Sequence, residues 1–486
     1  SDGTITNTLQ DSVRCILETQ FPQHQPEPQT AVHEEIIQSI QTPPNTPDDI
    51  PFTQHEIKHI IQHIPSRITP GLDNMSASLM KSLYSLFPNF FHSIFNACLT
   101  FSYYPDLWKE SKVVLLPKPN KPTNQPTSYR PICINPLLGK VLEKLLYNRL
   151  YYFLHHNNLL HPFQFGFTHN TSATIALYHI KQKLKSAIAE QKKTLIISLD
   201  ISNAFNTIWI PFVLQYFKQN ILPRNLYLLL QAILNNRTIT YPLLSQSVSL
   251  NTPVGSPQGS PLSPLIWNVL ISSLLDLPFP SNTHVQAYAD DITIIITGNT
   301  RLHLETTANT TLNTIHNWGK EHNINFNPSK CKFTLIGRHY LKRPPTIKIG
   351  NHSLTHTQEM KILGVIFDSK LSFLPHANHL RDTIYKHTVA LAAFSGRNWG
   401  ITPTHFRDLY TRSLERIITY GAPIYWQTEN NTHLTRKLTS IQRIPLLKIC
   451  KAFHTVSNNS LRVLTNTLPI QYTLNRETAL FHLFQL

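Results

Sequence analysis

The sequence predicts an α+β protein of several units, and three observations carry that expectation. Two apolar runs rich in β-branched residues, "TLIISLD" (194–200) and "VQAYADDITIIITG" (285–298), read as strands that end on, or are interrupted by, aspartates. Stretches such as "LLGKVLEKLLYNRLYYFL" (137–154) bring apolar residues round every three to four positions, as amphipathic helices do. From about residue 370 the period is helical and stays so to the end.

Bulk properties narrow the class. At 486 residues the chain is too long for one core and should divide into two to four units. Apolar residues make up 41%, enough for real cores and too many for a disordered chain. Forty-three Lys and Arg stand against 27 Asp and Glu, a net charge of +16, which favours polyanionic partners, nucleic acid first and anionic membrane second. No run of 18 apolar residues and no signal peptide occur, so no membrane span is expected. The five cysteines, Cys15, Cys98, Cys133, Cys331 and Cys450, have neither CxxC nor zinc spacing and read as reduced thiols of an intracellular protein. The chain starts at Ser1 rather than Met, so it is expected to be a piece of a longer polypeptide.

Taken in order, residues 22–51 hold seven prolines with Gln, Thr, Asn and Asp, the composition of a linker or of a chain laid over a surface. Thr53 and Glu56 form a capping box before a helix whose apolar stripe is Ile57, Ile60, Ile61 and Ile64. On its other side His55, His59 and His63 recur every four residues; with no second ligand set, a solvated polar face is the better reading than a metal site. "KVVLLPKPNKP" (112–122) reads as a strand running into a basic, proline-rich turn. In "GSPQGSPLSPLIWNVLISSLL" (255–275) turn residues precede a helix. Residues 285–298 form a hairpin with a tight turn at Ala289–Asp291. From Lys370 onward 14 Lys and Arg face 5 Asp and Glu, a local +9. No internal repeat is found.

The chemistry lies in the acids. An isolated carboxylate in an apolar strand costs several kcal/mol or neutralises itself, so Asp200, Asp290 and Asp291 call for a reason. If their strands are neighbours, three carboxylates converge, and they cannot all stay ionised without cations. Oxygen ligands suit Mg2+, and two such ions about 3.5–4 Å apart activate the attacking oxygen and stabilise the leaving one in phosphoryl transfer. For Asp290–Asp291 alone, exposed turn residues would be the better reading; the full constellation reverses that.

The ordered series "SYRPICINPLLGKVLEKLL", "FQFGF", "LDISNAF", "GSPQGSPLSPL", "YADD", "NFNPSKCK" and "KILGVIFDSKLSF" resembles the reverse transcriptase of a non-LTR (LINE-type) retrotransposon, and is most similar to jockey-like elements. "LYTRSLERIITYGAPIYW" and "KAFHTVSNNSLRVLTNTLPI" fit the post-palm region of the same group, so the similarity spans roughly residues 50–475. The resemblance implies a right-hand polymerase with fingers, palm and helical thumb. It implies the division 1–52 N-terminal extension or linker, 53–193 fingers side, 194–368 palm and 369–486 basic thumb and post-thumb region. It implies an RNA-directed DNA polymerase that copies element RNA from a target-site 3′-hydroxyl, with two Mg2+ ions and Mn2+ as a substitute.

Residue by residue, the resemblance makes Asp200 a metal ligand with the backbone carbonyl of Ile201, and Asp290 the second ligand. Asp291 completes the cluster with a more variable contact. Phe205 falls at the sugar-gate position, where a ring would collide with a ribose 2′-hydroxyl; an ordinary core Phe is the alternative. Gln258 and Gly259 line the nucleotide pocket, while Lys118 and Arg130 grip the triphosphate, as a point charge and a fork respectively. Lys330 protonates the leaving pyrophosphate, though an exposed loop lysine accounts for it nearly as well. Leu363 and Gly364 form the hairpin that holds the primer, and a plain structural turn is the alternative for Gly364. The implied partners are an RNA template, a DNA primer or target, the RNA–DNA heteroduplex and dNTPs, with no membrane. Tyr288, just before the turn, is expected to pack beneath the site.

Three departures stand out. Thr168 replaces the arginine of "FGFR", Asn74 stands in "PGLDN" where glycine is usual, and Ser260 occupies a Gly-or-Ser position. An endonuclease is expected in an upstream part of the polyprotein, and too few residues follow the thumb for an RNase H domain. The implied location is intracellular: the nucleus at the integration site, with a cytoplasmic ribonucleoprotein stage. The competing readings are a catalytically silent fold kept as an RNA-binding scaffold and, more weakly, a DNA-templated or repair polymerase.

Overall fold

The computed structural model describes residue 6 and residues 8–22, 30–119, 121–243, 246–256, 259–337, 343–396, 399–426 and 432–485. Its strands are β1 (Glu110–Pro117), β2 (Tyr129–Ile134), β3 (Lys193–Asp200), β4 (Thr238–Pro242), β5 (Ser247–Asn251), β6 (Thr283–Tyr288) and β7 (Asp291–Gly298). There follow β8 (Lys332–Ile336), the short β9 (Lys348–Ile349), β10 (His352–Ser353) and β11 (Thr355–His356), then β12 (Glu359–Ile362) and β13 (Val365–Asp368). Helices make up most of the remainder, so the class is α+β as expected. No described helix is long and apolar enough to cross a membrane.

Two compact units are each assembled from separated segments. One takes Ser1–Phe167, Ile201–Leu277 and Thr314–Phe326; the other takes Thr168–Asp200, Pro278–Asn313 and Asn327–Leu486.

In the first unit a four-stranded sheet has the order β2-β1-β4-β5. β1 runs antiparallel to β2, from Lys112 opposite Ile134 to Pro117 opposite Tyr129, and parallel to β4. Val113, Cys133, Ile239 and Val248 form an apolar cluster with Val13, Leu17 and Phe21 of the helix Leu9–Gln20 and its C-cap. Residues 22–51 differ from a plain linker because they contain the helix Ala31–Ser39, capped by Thr30. Its buried face is just His33 and Ile36, too short to show as a period in the sequence. The chain beyond it is laid over the helices. Thr46 Oγ1 donates to the Leu222 carbonyl at 2.7 Å, and the Asn225 amide pairs with both backbone groups of Asp49 at 2.8 and 2.9 Å.

The expected capping box is present at the helix Gln54–His63, with Ile57, Ile60 and Ile61 buried and His55, His59 and His63 exposed. The helix Leu137–His156 turns its leucines inward together with Glu143, which is 2% exposed. The helix Ser263–Leu275 is buried almost all round, as its unbroken apolar run requires.

In the second unit a five-stranded sheet has the order β11-β8-β3-β7-β6. β3 is central, bonded to β7 over its whole length and to β8 from Thr194 to Ser198. Leu195, Ile196, Ile197 and Leu199 are fully buried, so both faces of β3 are covered. A strand in that position shows a continuous apolar run instead of alternation. Leu177, Ile180 and Leu184 of the helix Ala173–Ala189 pack on Ile196, Ile295 and Ile336. The same core takes in Ile384, Leu438 and Leu474 from the helices Leu374–Ala392, Thr432–Cys450 and Ile470–Phe484.

Candidate active site

Asp200 ends β3 and Asp291 begins β7, and the ladder sets them directly opposite each other. Tyr288 faces Asp291 from the other side, leaving a two-residue turn, Ala289 and Asp290. The turn is therefore shorter than expected by one residue: Asp291 belongs to the strand. Ala289 adopts a φ of 56°, a left-handed conformation that disfavours any side chain. The ladder on either side over-determines it. Behind the turn Ile292, Ile294, Ile295 and Ile296 are buried, so the acids emerge at the solvent end of a stiff apolar strand.

Asp290 and Asp291 both reach solvent. Desolvation nevertheless pushes Asp291 up to about 6, and the charges of Asp290 and Asp200 add to the shift. Asp200 is fixed on three sides. Its N–H donates to Cys331 Sγ at 3.4 Å, and its carbonyl accepts the Asn327 N–H at 2.9 Å. Its Oδ2 accepts from Lys330 Nζ at 2.9 Å. Lys330 thus partners Asp200, an exposed ion pair whose worth in stability is small.

Among the described residues no group of three or more His, Cys, Asp or Glu is arranged to hold a metal ion. The donor chemistry still fits a hard cation. All three side chains offer oxygen alone, and the charges of Asp290 and Asp200 add to the rise that desolvation causes at Asp291.

Leu363 and Gly364 form the two-residue turn between β12 and β13, with φ of 43° and 88°. Thr168, at the arginine position of the resemblance, offers its carbonyl to Thr171 Oγ1 at 2.8 Å.

The remaining expected residues belong to the first unit. Lys118 and Arg130 share the β1–β2 hairpin: Arg130 is exposed opposite Leu116, and Lys118 Nζ donates to the Thr127 carbonyl at 2.8 Å. Ile201 is buried and bridged to Phe326. Phe205 lies half-buried in the turn Ala204–Thr207, with ring centroids 6.0 Å from Phe167 and 5.6 Å from Trp267. Gly259 has a φ of 132°, and any Cβ there would run into the Cys133 carbonyl. Gln258 lies outside the described residues.

Two buried charges escaped sequence reasoning. Glu143 accepts from Ser260 Oγ at 2.5 Å, Tyr104 Oη at 2.9 Å and Asn135 Nδ2 at 3.1 Å. Burial raises its carboxyl, and these donors oppose the rise. Arg237 donates from Nη2 to the carbonyls of Thr252, Val254 and Gly255 at 3.1, 3.2 and 2.6 Å. Desolvation lowers it to about 10. Together they brace the chain on both sides of "GSPQGSP". The available signal was an acid inside the leucine stripe of "GKVLEKLL".

Residues 116–367 match the family model described as reverse transcriptase (RNA-dependent DNA polymerase). The chain is 28% identical over 471 residues to a 115 kDa protein of the type-1 retrotransposable element R1DM of Drosophila melanogaster, covering 96% of this chain and 44% of that one. It is 26% identical over 391 residues to the RNA-directed DNA polymerase from the mobile element jockey of the same species, covering 77% of this chain and 41% of that one. The chain therefore spans less than half the length of these relatives. Among solved structures, telomerase from Candida albicans aligns at 11% identity and a TM-score of 0.39, over 83% of this chain and 67% of that one. By the match across its central half, and by the retroelement proteins it aligns with, the chain belongs to the reverse transcriptase (RNA-dependent DNA polymerase) family, in its LINE-type branch.

Proposed function

We propose that this chain is the polymerase portion of a non-LTR retrotransposon protein. It extends a DNA 3′-hydroxyl on an RNA template with dNTPs. The observation that carries this reading is the ladder pairing of Asp200 with Asp291, with Asp290 on the adjoining turn. In this reading residues 194–368 are the palm, 53–193 the fingers side and 369–486 the thumb.

Asp200, Asp290 and Asp291, with the Ile201 carbonyl, would hold Mg2+; when bound, the cation supplies charge neutralisation at the reacting phosphate. The chain's own contribution is positioning and exclusion. Arg130 and Lys118 take the triphosphate, Phe205 excludes the 2′-hydroxyl, and Gly259 lines the pocket. Lys330, paired with Asp200, protonates the leaving pyrophosphate, while Leu363 and Gly364 hold the primer end. The target-site nick is assigned to a separate endonuclease activity, and the work to the nucleus after a cytoplasmic ribonucleoprotein stage.

Primer extension on an RNA template with Mg2+ tests the proposal. Wild type is expected to make DNA, and Asp290→Asn to lose nearly all synthesis while binding heteroduplex with unchanged affinity. Equal extension by both proteins would sink the mechanism.

A further inference from the structure

The motif "YGAPIYW" (420–426) has no role in the reading so far, and its burial is uneven. Gly421 to Trp426 are all buried, whereas Tyr420 is 43% exposed. The rest of the motif is anchored. Lys181 Nζ donates to the Pro423 carbonyl at 2.6 Å, Trp426 Nε1 to Asn475 Oδ1 at 2.6 Å, and the Tyr425 hydroxyl to the Ile418 carbonyl. Such a platform holds its one exposed ring in a fixed place.

That ring meets the β12–β13 turn. The Tyr420 hydroxyl donates to the Leu363 carbonyl at 2.8 Å. A Cβ on Gly364 would lie 2.9 Å from Tyr420 Cε1, and a Cβ on Gly421 would lie 2.8 Å from Val365 Cγ2. Gly364 and Gly421 are both left-handed, with φ of 88° and 65°, so each glycine satisfies its backbone and makes room for the other segment at once. Tyr420 also interacts electrostatically with Tyr288, two residues before Asp290. One side chain therefore touches the tip of the hairpin and is coupled to β6, the strand that leads into the acidic turn.

We propose that Tyr420 is a positioning residue for the primer 3′ end, setting the Leu363–Gly364 tip at a fixed place relative to the acidic turn. This rests on the polymerase reading above. Loss of the hydroxyl leaves the Leu363 carbonyl unpaired and the tip free to shift, while Asp200, Asp290 and Asp291 keep their places.

The test compares wild type, Tyr420→Phe and Gly364→Ala on two fluorescent probes: a primer–template with a recessed 3′ end, and single-stranded RNA of the same length. For Tyr420→Phe, duplex Kd is expected to rise about threefold to tenfold, the range of one uncharged hydrogen bond. Affinity for single-stranded RNA and the thermal midpoint should stay at wild-type values. In steady state the KM for primer should rise by the same factor, with kcat and the KM for dNTP within about twofold. Gly364→Ala, whose Cβ would meet the Tyr420 ring, should lower duplex affinity in the same direction and, being strained at its left-handed φ, should also lower the thermal midpoint. Unchanged duplex affinity in Tyr420→Phe overturns the proposal, as does an equal loss on both probes. If wild type binds the recessed end selectively but extends nothing, the polymerase reading fails while the positioning role is still decided by the binding arm.

Discussion

The Phe205 ring lies 6.0 Å from Phe167 and 5.6 Å from Trp267 and is half-buried, so one ring both packs and keeps part of its surface in solvent. Trimming it to Val should raise ribonucleotide incorporation relative to deoxynucleotide; an unchanged ratio on an RNA template would remove Phe205 from sugar selection. Lys330 makes a different case, because its ammonium occupies an oxygen of Asp200 that a dication would share. Lys330→Met is therefore expected to lower the Mg2+ concentration giving half-maximal synthesis, read from a metal titration of primer extension; a higher requirement would contradict the pairing. Of the site, Asp200, Asp290 and Asp291 were legible because an acid ending one apolar strand and a pair at the turn of another make, together, a constellation that exposed turn residues alone do not explain. Tyr420 was not, since a tyrosine in a helical, aromatic-rich stretch looks like any core ring. Glu143 and Arg237 were hidden for a related reason: their partners, Ser260, Tyr104 and Asn135 for the one and backbone carbonyls for the other, follow no helical or strand period that a sequence shows.

Among the elements, β3 and the helix Gln54–His63 were readable because each states a boundary, by an acid or by a capping box, whereas β7 begins one residue earlier than its acids suggested, at Asp291. Thr53→Ala removes the acceptor for the Glu56 N–H at 3.2 Å and should cost about 1 kcal/mol in denaturant unfolding. The helix Ala31–Ser39 was not readable, lying as it does between proline-rich flanks with two buried side chains. The helix Ala173–Ala189 carries a different liability in Lys181, 6% exposed and lowered to about 8, chiefly by desolvation. Between pH 8 and its ordinary value of 10.5 the unfolded chain binds a proton at Lys181 that the native protein does not. Native stability should therefore rise with pH in that window relative to Lys181→Met, and the gain should disappear as pH falls through 8. Parallel unfolding curves for the two proteins across that window would refute the shift.

For the molecule as a whole, the sequence reads as successive blocks, whereas the two compact units each draw on three separated segments. Contact between distant segments is a tertiary property, and a single sequence with local periods alone does not carry it. The net charge is a whole-molecule property that the sequence does carry. At +16, metal-free binding to RNA–DNA heteroduplex should weaken steeply as salt rises, with log Kd linear in log salt concentration; a flat response would contradict a phosphate-tracking surface.

The central place of β3 also bears on how copies of such a gene would decay. Because it is bonded on both sides, it cannot slide along one neighbour without breaking with the other. Losing a single codon between Lys193 and Leu199 would either force a bulge or turn Asp200 to the opposite face of the sheet. Such a copy would still spell every recognisable motif, in order, and would nonetheless have lost its facing pair of acids. Length within those eight residues is as strict a requirement as the identity of the aspartates themselves.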